Sequence, residues 1–179
     1  MKTQTATRAQ RHPQSSQSSN TLRAAPRANT SLSIATKTLT GESLTLRAAT
    51  VADAAEIANV GGKGFAAIHQ IAVPDEDMQE ALAMLWNEKQ LTVIIENPEI
   101  QFLVAEIEQR IVGLICLNPT YRPSYLRRST QVELCRFYVH RDWIGYGVGS
   151  TLMTHALRQA ALAGYGTCLL RVCQGNKSV

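Results

Sequence analysis

The chain has 179 residues, 45% of them hydrophobic and 18% charged, the make-up of one globular domain with a proper core. No apolar run approaches the roughly 18–20 residues of a membrane-spanning helix, so no membrane partner is expected. The net charge of +4 is localised: residues 1–41 hold six basic and no acidic residues, while 42–179 hold 12 basic against 14 acidic ones, which argues against nucleic acid as a partner of the fold.

Residues 1–41 are rich in Ser, Thr, Gln and Ala with almost no large apolar side chains, and are predicted to be a disordered basic tail. Their acid-free, Arg-bearing, Ser-rich make-up is also that of a mitochondrial transit peptide, although Pro13 and Pro26 interrupt any amphipathic helix. A cytoplasmic location is the first expectation and a mitochondrial one the alternative. Cys116, Cys135, Cys168 and Cys173 show neither C-x-x-C spacing nor a histidine partner, and lie in or at the end of apolar runs. They read as buried reduced thiols, with no metal site.

The folded domain is placed at 42–179. "SLTLRAA" reads as a strand from Ser43, and Thr50 with Asp53 makes a T-x-x-D cap for a helix through "VADAAEIANVG". Gly61, Gly62 and Gly64 are expected to break that helix. Gly61-Gly62-Lys63-Gly64 is no nucleotide P-loop, since Gly64 stands where Ser or Thr is required and Ile57 where Gly is required. A flexible connector is expected there. A single second helix is expected over "DEDMQEALAMLWNEKQLTVIIE" after Pro74, stopping at the latest at Asn97-Pro98.

"IQFLVAEI" and "RIVGLICL" form a predicted hairpin around Glu108-Gln109, and a polar loop containing Tyr121 and Tyr125 leads to the strand "QVELCRFYVH". After a glycine-rich corner, Leu152, Met153, Ala156, Leu157 and Ala160 share one face of a helix that Gly164 and Gly166 end. "TCLLRVC" is the last strand, so Gln131 to Cys173 reads as a right-handed β-α-β crossover.

The corner, "HRDWIGYGVGSTL", spaces Gly145, Gly147 and Gly149 at every second position between strand and helix. Glycines there let backbone approach a ligand, and a helix N-terminus offers free N–H groups to an anion. A tight turn without ligand is the plain alternative. A dinucleotide fold is excluded: Ser150 falls where the last glycine of G-x-G-x-x-G belongs, and no acidic residue closes the next strand.

"VELCRFYVHRDWIGYGVGSTLMTHAL" resembles the central motif of the GNAT superfamily, the acyl-CoA-dependent N-acetyltransferases, in which a strand is followed by [Q/R]-x-x-G-x-[G/A] and a helix. The order of elements over 43–179 is similar to the family's as well. The resemblance implies an α/β (α+β) fold: a mixed sheet with an antiparallel hairpin and the crossover. It implies acetyl-CoA as cosubstrate, an amine as acceptor and direct transfer without a covalent enzyme intermediate. Carried over, the pyrophosphate cradle is Gly145, Tyr146, Gly147, Val148, Gly149 and Ser150. Phe137, Tyr138 and Val139 pair with the pantetheine arm, and Asn176 matches an asparagine after the last strand.

Two departures stand out. Ile144 occupies the usual Gln/Arg position, with Arg141 nearby in sequence. The family's helix and strands after Asn176, with a tyrosine acid, are expected to be missing, which would leave an uncovered strand open to self-association. His69, His140 and His155 are poor replacements for that acid, and His155 is expected to be exposed beside Arg158 and Gln159. Tyr121 and Tyr125 read as packing in the loop. Glu133 is the candidate general base, or else a carboxylate satisfied by the "YRPSYLRR" loop. Strand alternation puts it with Cys135 and Phe137, opposite Arg136 and Tyr138. The two functions left open are acetyl transfer to an amine and non-catalytic acyl-CoA binding. The pocket for the acceptor should be shaped by 61–75 and 118–130, which carry no decisive chemistry.

Overall fold

The computed structural model describes residues 33–69, 74–119 and 130–171. Expectations for residues 1–32, for Tyr121, Tyr125 and Asn176, and for the chain beyond Arg171 lie outside the described residues. The strands are β1 (Ile34–Lys37), β2 (Ser43–Ala48), β3 (Gln101–Ile107), β4 (Arg110–Asn118), β5 (Gln131–Val139) and β6 (Thr167–Leu170). They form one sheet in the order β1-β2-β3-β4-β5-β6, antiparallel throughout except for the parallel pair β5–β6. The helices are α1 (Ala54–His69), α2 (Asp75–Leu85), α3 (Glu88–Glu96) and α4 (Val148–Leu162).

Alternating side chains send the sheet's apolar residues into two cores. Under α4, Leu44, Leu46, Leu103, Ile115, Leu117, Val132 and Leu134 meet Val148, Leu152 and Ala156. On the other face Phe102, Val104, Leu114 and Cys116 meet Ile57 and Val60 of α1 and Leu91 and Ile95 of α3. The crossover β5–α4–β6 and the hairpin at Glu108-Gln109 (φ 50 and 62, left-handed at both residues) form as expected. So does the start of α1: the Asp53 carboxylate accepts from the Thr50 amide at 2.7 Å and from the Thr50 hydroxyl at 2.8 Å.

Three expectations are corrected. The fold begins before residue 42, because β1 pairs with β2 along Ile34↔Leu46 to Lys37↔Ser43. The α1 helix runs straight through Gly61, Gly62 and Gly64; tertiary packing replaces the flexible connector, since a methyl on Gly64 would lie 2.6 Å from the Tyr138 ring. The second helix is two. Asn87 ends α2 by donating its side-chain amide to the carbonyls of Ala83 (2.8 Å) and Met84 (3.1 Å), and starts α3 by accepting from the Gln90 amide (2.9 Å). Asn97 then follows as the C-cap.

Among the described residues no helix is long and apolar enough to cross a membrane, and no group of His, Cys, Asp or Glu side chains could hold a metal ion.

Candidate functional site

The corner begins where β5 ends. The His140 amide donates to the Val112 carbonyl at 2.8 Å, and a short 3₁₀ turn, Arg141–Trp143, follows. Gly145 (φ +88) and Gly147 (φ +84) adopt the left-handed backbone that L side chains resist. Gly147 is the N-cap of α4, and its carbonyl accepts both the amide (3.0 Å) and the hydroxyl (2.9 Å) of Thr151. Val148, Gly149 and Ser150 therefore form a first turn whose amides have no acceptor within the helix, at the positive end of its dipole. Gly149 faces the strand end: a methyl there would lie 3.3 Å from Phe137 Cζ and 3.4 Å from Val139 Cγ2.

The rim of the corner is apolar. Ile144 is 65% exposed, and Tyr146 stands edge-on to Trp143 with ring centroids 5.4 Å apart. Arg141 is bound to its neighbour Asp142 at 3.3 Å and points into solvent, so it gives no sign of replacing the missing Gln/Arg. The turn after β1 supplies a contact not foreseen in the sequence. The Leu39 amide donates to the Tyr146 carbonyl at 3.0 Å, and a methyl on Gly147 would lie 2.9 Å from Leu39 Cγ.

Away from the corner, β5 pairs with β6 only from Gln131↔Thr167 to Leu134↔Leu170. Cys135 to Val139 continue β5 from there to the corner and the first turn of α4. On its other side β5 is bulged against β4: Arg136 pairs with Cys116 and Leu134 with Leu117, so Cys135 is the extra residue.

The bulge overturns the expected alternation. Val132 and Leu134 lie in the core under α4, and after the bulge Phe137 and Val139 pack there too. Arg136 and Tyr138 face the opposite side, where Glu133 also falls. Arg136 donates to the Leu85 carbonyl (3.2 Å) at the end of α2 and stacks over Trp86 at 5.2 Å; Trp86 meets Tyr138 edge-on at 5.2 Å. The buried indole Nε1 of Trp86 has no hydrogen-bond partner among the described residues. Phe65 joins this aromatic cluster and stacks on His69, centroids 4.2 Å apart.

Glu133 is buried, its side chain 6% exposed, and its partner is Arg171 at the end of β6. Arg171 Nε lies 2.7 Å and Nη2 2.6 Å from Oε1, while the Arg171 side chain is 70% exposed. His140 sits in the corner with Nδ1 accepting from the Asp142 amide at 3.4 Å. His155 is buried, contrary to expectation, because the face of α4 that bears it is covered; burial first, and then the Arg158 charge, lower its pKa. Cys135 is also unlike the expected buried thiol: it is exposed, whereas Cys116 is fully buried.

The sequence of the chain matches the acetyltransferase (GNAT) family over residues 62–178, and the chain belongs to that family. No curated protein matches it in sequence. Its fold is similar to that of the PaiA N-acetyltransferase from Thermoplasma acidophilum, solved with coenzyme A (20% identity over 75% of this chain and 82% of that one, TM-score 0.65). It is similar also to a GCN5-related N-acetyltransferase from Ralstonia eutropha (15% identity, 73% and 84%, TM-score 0.59). A third likeness is to an aminoglycoside acetyltransferase from an uncultured soil metagenomic sample, solved with sisomicin (14% identity, 75% and 80%, TM-score 0.54). These likenesses establish a shared fold.

Proposed function

We propose that the chain transfers the acetyl group of acetyl-CoA to an amine. The observation that carries this reading is the glycine corner, where left-handed Gly145 and Gly147 set the first turn of α4 beside the end of β5. The first-turn amides of α4 suit a pyrophosphate, and the end of β5, which runs into the corner, suits an amide-bearing arm laid beside it as a strand. Gly145, Tyr146, Gly147, Val148, Gly149 and Ser150 then cradle the phosphates. Phe137, Tyr138 and Val139 supply main-chain contacts to pantetheine. With Ile144 in place of a polar residue, phosphate binding rests on amides and the helix dipole.

For transfer, an ammonium must lose a proton and its nitrogen must meet the thioester carbonyl, whose developing oxyanion needs a backbone donor. Glu133 is the proton acceptor in this reading, reached through water, with Arg171 holding the carboxylate in position from the β6 side. The acceptor lies on the face of Trp86, Tyr138 and Phe65. The ion pair with Arg171 is also the observation that favours the second reading, a protein that binds acyl-CoA without turning it over.

One experiment separates these. Titrate acetyl-CoA into the chain by calorimetry, then follow thiol release with a panel of primary amines. Binding with amine-dependent release supports transfer; binding without release across the panel supports the acyl-CoA-binding protein. Absence of binding by a folded chain would overturn both.

A further inference from the structure

We propose that Arg136 selects the acceptor: its guanidinium takes a carboxylate carried by the substrate, so that the amine acetylated is that of an amino acid. The proposal rests on the transfer reading above and deepens it by naming the substrate class.

Arg136 is a cation without a counter-ion. It is half-buried in β5, and none of the ion pairs of the described residues includes it. All 14 Asp and Glu residues of the chain lie among the described ones, so no acidic side chain elsewhere in the sequence is left to supply the pair. The polar partners that Arg136 does have are weak. Nη2 donates to the Leu85 carbonyl at 3.2 Å, and the thiols of Cys116 and Cys135 are neighbours. A guanidinium carries five N–H donors in a planar fork, more than these groups use. Its best partner is a carboxylate, which accepts two parallel hydrogen bonds from the fork.

The surroundings hold the fork in place. The Trp86 ring lies 5.2 Å from Arg136 Cζ, and Tyr138 meets the same indole edge-on at 5.2 Å. Stacking on Trp86 and the bond to Leu85 therefore fix the guanidinium before a ligand arrives. The buried indole Nε1 of Trp86 is a second donor in this cluster without a partner among the described residues. Donors in excess of acceptors favour an anionic group.

The register of β5 ties this cation to the reaction. The bulge sets Glu133 opposite Asn118 and Arg136 opposite Cys116. The two side chains thus stand on one face of the sheet, two β4 residues or about 7 Å apart along the strand. A substrate whose amine lies one water from Glu133 reaches Arg136 with a carboxylate a few bonds away. A free amino acid has that spacing, and a simple amine lacks the anion. Capping the last carbonyls of α2 is the alternative role for Arg136, and it requires the charge but not the fork.

The test compares amines matched except for the carboxylate: amino acids, their amides and their decarboxylated amines. Each is assayed for acetyl transfer from acetyl-CoA, and for binding by calorimetry in the presence of coenzyme A. The amino acids should exceed their neutral partners in kcat/KM by about tenfold or more, through KM. Arg136→Gln should cut that preference to about twofold or less, and Arg136→Lys, with the charge but not the fork, should keep only part of it. If neither variant folds, the wild-type preference decides alone. Neutral amines accepted as well as amino acids, or a preference that survives Arg136→Gln, would overturn the proposal and leave acetyl transfer standing. Amino acids that bind in an Arg136-dependent way without being acetylated would uphold the carboxylate site and sink the transfer reading. Coenzyme A binding with neither transfer nor amino-acid binding would sink both.

Discussion

A methyl group added to Gly61 would lie 1.9 Å from Cζ3 of Trp86, inside the van der Waals envelope of the indole. Gly61 is thus the helix position that lets Trp86 close against α1. Trp86 in turn meets Tyr138 edge-on and lies under the Arg136 guanidinium. The wall of the proposed acceptor site depends on that missing side chain and on the one at Gly64, where a methyl would lie 2.6 Å from the Tyr138 ring.

Gly61→Ala should destabilise the protein by about 1–3 kcal/mol, the usual range for overpacking a filled site, despite the better helix propensity of alanine. Gly62→Ala, whose methyl would meet Trp86 Cβ at an ordinary 3.5 Å, should be neutral or stabilising. Denaturant melts of the two variants check the contrast. Equal stability would mean that Trp86 moves aside freely.

Gly145 and Gly147 share the left-handed backbone, yet among the described residues only Gly147 has a neighbour where a side chain would stand: Leu39 at 2.9 Å, against none within 4 Å at Gly145. Each change to alanine should cost about 1–2 kcal/mol from the backbone alone. Gly147→Ala should cost more, and Leu39→Ala should relieve the excess. A double-mutant cycle on thermal stability measures that coupling; additive effects would show that Leu39 and the corner do not press on each other.

His155 gives a pH signature. Its pKa in the fold is lowered from 6.5 by burial and by Arg158, so the unfolded chain takes up the proton at a higher pH than the folded one does. The stability that its neutral form contributes is complete above the unfolded value and is lost as pH falls from there through the folded value. Unfolding midpoints measured near pH 7.5 and near pH 5, both about a unit or more from the ordinary histidine pKa, should therefore drop more for the wild type than for His155→Gln. Parallel drops would remove His155 from the acid response.

Glu133→Gln keeps the shape of the side chain and removes the proton acceptor. If Glu133 acts as the base, acetyl transfer should fall by roughly 10²–10⁴-fold while acetyl-CoA affinity stays unchanged. Coupled losses of affinity and rate would instead mark Glu133 as an anchor for Arg171 and β6.

Much of this protein was determined locally. Thr50 and Asp53 are three residues apart and carry their cap within themselves; Glu108-Gln109 makes its hairpin between two apolar runs; the glycines from 145 to 149 announce the strand–turn–helix corner, although Leu39 also packs on it. Such features are legible because the interacting groups are adjacent in sequence. The C-cap and N-cap role of Asn87 was equally local, but hidden inside a continuous helical pattern.

What only the tertiary structure decided involves partners distant in the chain. Whether a glycine breaks a helix or makes room depends on what packs there, and Trp86 and Tyr138 come from other elements. The bulge at Cys135 follows from the register of β5 on β4. One extra residue reverses the alternation and moves Glu133 to the face of Arg136, which no period-two reading of "QVELCRFYV" can detect. The partner of Glu133 is Arg171, 38 residues on, brought beside it by the parallel pairing of β5 and β6. The sequence by itself determined the glycine corner and the helix that starts from it; long-range pairing decided which side chains stand at the far end of β5.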